Sequence, residues 1–78
     1  MIVRDQDHVY HEFDDIFAVY LFATQEYGIY LDAKPFNVLL GKYATLERAK
    51  CVVADLFFAY CHNLKRKDNR KFYMPQDD

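Results

Sequence analysis

The sequence predicts an α+β fold: a small antiparallel β-meander of four to five strands, covered on one face by a single C-terminal helix over about residues 45–64. Three observations carry the prediction. Apolar residues alternate with polar ones in short runs through the first forty positions, the period of half-buried strands. Short polar connections separate those runs, which makes antiparallel neighbours the default. Helical spacing at steps of three and four begins after Thr45, so one helix is available to cover the sheet.

Met1-Ile2-Val3-Arg4 reads as a short opening strand, ended by the polar Asp5-Gln6-Asp7. In Val9–Phe13, Val9, His11 and Phe13 share one face, with Tyr10 and Glu12 on the other. Asp14-Asp15 marks a turn or bulge. Ile16 to Ala23 fits strand or helix on periodicity alone; its β-branched and aromatic content and its length favour a central strand, apolar on both faces. Thr24-Gln25-Glu26 has the length of a hairpin loop. Tyr27–Leu31 then directs Tyr27, Ile29 and Leu31 one way, Ala33-Lys34-Pro35 turns the chain, and Phe36, Val38 and Leu40 point inward on the return.

Gly41 closes that strand, and Thr45 is a good helix N-cap, with Glu47 in the first turn where the dipole favours a negative charge. Arg48 occupies the position where a full capping box needs Glu or Gln. Leu46, Ala49, Val53, Leu56, Phe57, Tyr60 and Leu64 form the core-facing stripe. Glu47, Arg48, Asp55 and His62 fall opposite, and so do the apolar Cys51, Ala54 and Phe58. A lone outward Phe is commonly plain surface. A short outward apolar cluster is also what a partner surface looks like, so Cys51, Ala54 and Phe58 are the candidate protein interface. Beyond the helix, Phe72-Tyr73-Met74 forms an edge strand or lies against the helix, Pro75 stops it, and residues 75–78 fray.

Seventy-eight residues make one domain. A chain of this size buries only about 60–65% of the surface its unfolded form exposes. Fourteen Phe and Tyr supply core area that a short chain otherwise lacks. The N-terminus does not read as a signal peptide, and the eight-residue apolar run from Ile16 to Ala23 is far short of a membrane span. Cys51 and Cys61 lie roughly 15 Å apart along the helix, too far to bond to each other. Unpaired thiols fit a reducing compartment, so a cytoplasmic location is expected.

Net charge is -2, but its distribution is lopsided: residues 1–40 hold seven acids and two bases, residues 41–78 eight bases and five acids. Lys65, Arg66, Lys67, Arg70 and Lys71 place five cations in seven positions, with Phe72 and Tyr73 immediately beyond. Cations beside aromatics track phosphates and stack on bases, so these seven residues are the candidate contact of an alternative, nucleic-acid-binding reading. The acidic first half opposes it, and a charge run after a helix is commonly a solvated terminus. Acidic mimicry of nucleic acid through Asp5, Asp7, Glu12, Asp14 and Asp15 is weaker still at this net charge.

Metal and catalytic readings find little support. His8 and His11, three apart in extended chain, point to opposite faces, and no close Cys-x-x-Cys pair exists. With no Ser, nucleophilic chemistry falls to Cys or Thr, and no base is identifiably placed beside either. Gly28 and Gly41 make no phosphate-binding loop. Neither a catalytic residue, a metal ligand nor a cofactor site is read from the sequence.

Three segments, Arg4-Asp5-Gln6-Asp7, Leu40 to Lys50 and Tyr73-Met74-Pro75, resemble a family of small proteins encoded in phages and prophages of Gram-positive bacteria. That family shows an R-x-Q-D opening, an LG-x-Y-x-T-x-ERA helix entry and a closing Y-x-MP. The resemblance spans nearly the whole chain, which departs in its aromatic richness over residues 16–36 and its longer basic connector. It implies a phage-related accessory protein, with no catalytic residues to carry over. The expectation is a non-enzymatic protein-interaction module, self-associating as a homodimer through Phe58 or the outer sheet face.

Overall fold

The computed structural model describes residues 1–15, 18–23, 26–33, 36–66 and 71–77. Its elements follow in the order β1 (Ile2–Arg4), β2 (Tyr10–Glu12), β3 (Val19–Ala23), β4 (Tyr27–Ala33), β5 (Phe36–Tyr43), α1 (Leu46–Arg66) and β6 (Lys71–Tyr73). The class is α+β, as expected. Strand organisation differs: in place of one meander of four to five strands there are two three-stranded sheets. β3, β4 and β5 form the meander, each antiparallel to the next. β1 is the centre of the second sheet, antiparallel to β2 and parallel to β6. The expected strand at 16–23 is seen from Val19; positions 16–17, the loop residues 24–25 and the turn at 34–35 lie outside the described residues.

Asp5 explains why the first strands do not join the meander. Its backbone N–H donates to Val9 O at 2.9 Å, while its Oδ1 accepts from the N–H of Asp7 at 2.8 Å and of Val9 at 2.9 Å. A carboxylate bonding to backbone two and four residues on builds a turn by itself. His8 takes the left-handed conformation in that turn, at φ 69°. The chain therefore folds straight back on β1, and Phe13 N–H reaches Met1 O at 3.0 Å. The other edge of β1 goes to β6, which α1 returns to it; a parallel pair requires such a long crossover.

In the meander, Ile29 faces Gly41 and Tyr30 faces Leu39, so Leu40 is an extra residue in β5, a β-bulge. The strand continues to Tyr43, and Gly41 is buried within it rather than ending it. Glycine suits the close approach there: a Cβ would lie 3.0 Å from Tyr43 Oη, 3.1 Å from Gln6 Cδ and 3.2 Å from Met74 Cε, so these side chains would have to give by a few tenths of an ångström. Leu40 is buried and Val38 half-buried, as expected, whereas Phe36, expected inward, is 75% exposed. It pairs with Ala33 at the far end of the hairpin, where packing runs out.

Thr45 caps α1, its Oγ1 accepting from the Arg48 N–H at 3.2 Å. The helix packs on β3, β4 and β5 and runs to Arg66, slightly beyond the expected 64. Ala49, Val52 and Leu56 are fully buried, with Val53, Phe57 and Tyr60 packed beside them. Val52 was outside the expected stripe and Leu64, assigned to it, is 62% exposed. The drift of a 3.6-residue turn against steps of three and four accounts for Val52, and the helix outruns the sheet at Leu64. Val3 of the second sheet, with Met1 and Met74 flanking its strands, joins Ile29, Leu40 and Leu56 in one core. Among the described residues, no helix is long and apolar enough to cross a membrane.

The outer face of the meander carries an aromatic cluster. Tyr20 stacks on Tyr30 at 5.6 Å between centroids and Phe22 meets the same ring edge-on at 6.5 Å. The Tyr30 ring lies over Gly28, where a Cβ would come within 2.6 Å of it.

Candidate functional site

The outward face of α1 gathers the residues singled out as a protein interface. Cys51, Ala54 and Phe58 are all exposed, Phe58 to 74%. Steps of three and four bring them onto one line, and the exposed Cys61 extends it. His62, assigned to the polar face from the sequence, stacks against Phe58 with ring centroids 6.1 Å apart and planes 17° from parallel. Beside the pair lies an open cleft of about 230 Å³, lined by Phe58, Ala59, His62, Asn63, Lys71 and Phe72. Burying a side chain such as Phe58 stabilises by about 1.5–3 kcal/mol, a gain this fold leaves unrealised.

The basic segment is described in part. Lys65 and Arg66 close α1, Lys67 and Arg70 lie outside the described residues, and Lys71, Phe72 and Tyr73 form β6. Strand alternation separates the last three: Phe72 is half-buried against the core, while Lys71 and Tyr73 face outward. The Lys71 Nζ sits 5.0 Å from the centroid of the Tyr10 ring, and the Arg4 guanidinium sits 4.5 Å from that of Tyr73. Arg4 and Tyr10 thus join a cluster that the sequence reading confined to residues 65–73. Only the pairing of β6 with β1 reveals them, and nothing local in either segment signals it.

Three segments far apart in sequence, residues 4–7, 40–50 and 73–75, meet at Gln6. Its Nε2 donates to Lys42 O at 3.2 Å and to Pro75 O at 2.9 Å, and its Oε1 accepts from the Lys42 N–H at 2.7 Å. The Tyr43 hydroxyl also donates to Pro75 O, at 2.7 Å, and Gln76 Nε2 donates to Gln6 O at 3.0 Å. Asp77 Oδ2 accepts from the Ala44 N–H at 2.7 Å, so residues expected to fray are tied to the body. A second open cleft, of about 200 Å³, lies against Gln6, Asp7 and residues 39–42.

Next to this junction, His11 Nε2 lies 2.7 Å from Asp5 Oδ2. Burial by itself pushes the Asp5 carboxyl up, but the bonds from His11, Val9 and Asp7 and the His11 charge together hold it below its ordinary value. Burial pushes the Tyr43 phenol up to about 12, so it stays a protonated donor. The polar groups named here are engaged in holding turns and tails together. Both thiols are exposed on α1 rather than placed beside the His11–Asp5 pair. Among the described residues, no three His, Cys, Asp or Glu groups come together as a metal site would need.

Comparison with models of known protein families, with characterised proteins and with solved structures finds no match to this chain.

Proposed function

We propose that the chain is a non-enzymatic protein-interaction module, a phage- or prophage-related accessory protein of the cytoplasm, that docks through the outward face of α1. The observation that carries this reading is Phe58, 74% exposed on a helix whose neighbouring outward positions include Cys51, Ala54, Asp55, Cys61 and the stacked His62. One large ring among small residues, at steps of three and four, is how one helix accepts another: the ring enters a gap and the small side chains let the backbones approach. A second copy of the chain is the simplest partner, because the same stripe on two molecules is self-complementary about a two-fold axis. A domain this small gains proportionately from the added burial.

Sedimentation equilibrium over a wide concentration range tests the proposal. The wild-type chain is expected to form a dimer that Phe58→Asp returns to monomer, with its folded circular-dichroism spectrum retained. A wild-type chain monomeric into the high micromolar range, unchanged by the substitution, removes self-association through this face.

A further inference from the structure

We propose that the outer face of the β2-β1-β6 sheet binds single-stranded nucleic acid, with Tyr10 and Tyr73 stacking on bases and Arg4 and Lys71 taking phosphates. This surface meets the cleft beside Phe58 at Lys71, but Arg4, Tyr10 and Tyr73 do not line that cleft, so substitutions at the two tyrosines test it apart from Phe58. Register sets the face out in two rows. Arg4 is opposite Tyr10 on one side and Tyr73 on the other, and Ile2 is opposite Glu12 and Lys71. Strands about 4.8 Å apart therefore place two tyrosines on either side of one guanidinium.

Both rings stay accessible, Tyr10 at 49% and Tyr73 at 52% exposure, although a sheet of three short strands has every reason to bury what it can. Each has a cation against it, Lys71 beside Tyr10 and Arg4 beside Tyr73. A guanidinium over an aromatic ring is also a surface on which a base stacks. Charge favours a polyanion: Arg4 and Lys71 outnumber Glu12 on the face. The chain enters β6 directly from the tract that holds five cations in seven positions. With two cations at the centre and an overall charge of -2, binding is weak and salt-sensitive. Stacking and charge make no use of a ribose hydroxyl, so DNA and RNA strands bind alike. Paired bases hide their faces, so a duplex binds less well.

Fluorescence anisotropy of the full chain titrated onto labelled oligo-dT and oligo-U, each about 12 nucleotides, and onto a duplex of the same length, tests this. Between about 20 and about 200 mM salt, two phosphate contacts predict a logarithmic slope of about −1.4, a loss of about 25-fold. Tyr10→Leu and Tyr73→Leu should each weaken binding by about 5- to 150-fold, while Tyr10→Phe and Tyr73→Phe, which keep the ring, should retain it. Lys71→Gln should make the salt slope shallower by about 0.7, which supplies an answer even where a Leu variant fails to fold. The proposal is overturned by wild-type chain that ignores both strands at low salt, by a duplex bound as tightly as the strands, or by folded Leu variants that bind like wild type. In the first case the face is left as a protein-binding or purely structural surface.

Discussion

Gln6→Glu isolates the junction between the two sheets and the tail, because it changes hydrogen-bonding capacity with almost no change of shape. The native amide donates to Lys42 O and Pro75 O and accepts from the Lys42 N–H. A carboxylate keeps the acceptance, loses both donations and turns a negative charge toward two carbonyl oxygens. Two lost bonds at about 0.5–1.5 kcal/mol each give a deficit of about 1–3 kcal/mol at neutral pH. For a chain of 78 residues with about 2.1 cal/mol/K of unfolding entropy per residue, the melting temperature falls by about 6–18 °C. The pH dependence sharpens the test. Those carbonyls disfavour the anion, so the new glutamate has a raised pKa in the folded chain. Its penalty is full above that raised value and fades as pH falls toward the unfolded-state value of about 4.3. A protonated glutamate also regains one donor. Gln6→Ala, which has nothing to titrate at this position, keeps a constant deficit against wild type. Thermal unfolding followed by circular dichroism near pH 7 and near pH 4 measures both variants. A Gln6→Glu chain melting within about 2 °C of wild type near pH 7 would refute the junction's role. So would a deficit that does not shrink in acid.

Leu56, fully buried, should cost about 2–5 kcal/mol when replaced by Ala, while Leu64→Ala, at 62% exposure, stays within about 0.5 kcal/mol; urea denaturation compares them. Asp5 has a carboxyl pKa lowered from 3.8 in the folded chain, so its contribution is complete above the unfolded value and disappears as pH falls through the folded one. Asp5→Asn should therefore be less stable than wild type at neutral pH. The gap should narrow below about pH 4, as urea midpoints across that range will show.

What the sequence revealed depends on how far apart the interacting residues lie. The Thr45 cap, the α1 phase and the β3-β4-β5 hairpins are local, fixed by spacing and turn chemistry within a few residues. Cys51, Ala54 and Phe58 were legible for the same reason, as apolar exceptions on a helix face otherwise polar. The pairing of β1 with β6 joins the two ends of the chain, and no period or turn residue announces it. That single missing contact hid both the second sheet and the Arg4–Tyr73 and Lys71–Tyr10 pairs. Asp5 looked like one more acid in a polar turn, since its role lies in which backbone groups it meets. The bulge at Leu40 was masked because Leu40 is buried in either register.

Three segments far apart in sequence, residues 4–7, 40–50 and 73–75, converge physically. Gln6 bonds to Lys42 and Pro75, Tyr43 bonds to Pro75, and Gly41 makes room for Gln6, Tyr43 and Met74 at once. Each is the binding partner of the other two within the fold. A side chain whose donors and acceptors are engaged internally has little left to offer a ligand. Outward chemistry must then come from residues outside that set or on its margins, and the two candidate faces fit this division. Phe58 and its neighbours on α1 after Lys50 lie outside it. On the second sheet, Tyr10 and Lys71 lie outside it, while Tyr73 is exposed and the half-buried Arg4 lays its guanidinium over the Tyr73 ring. Changing either face should therefore alter what the chain binds without dismantling the junction that holds it together.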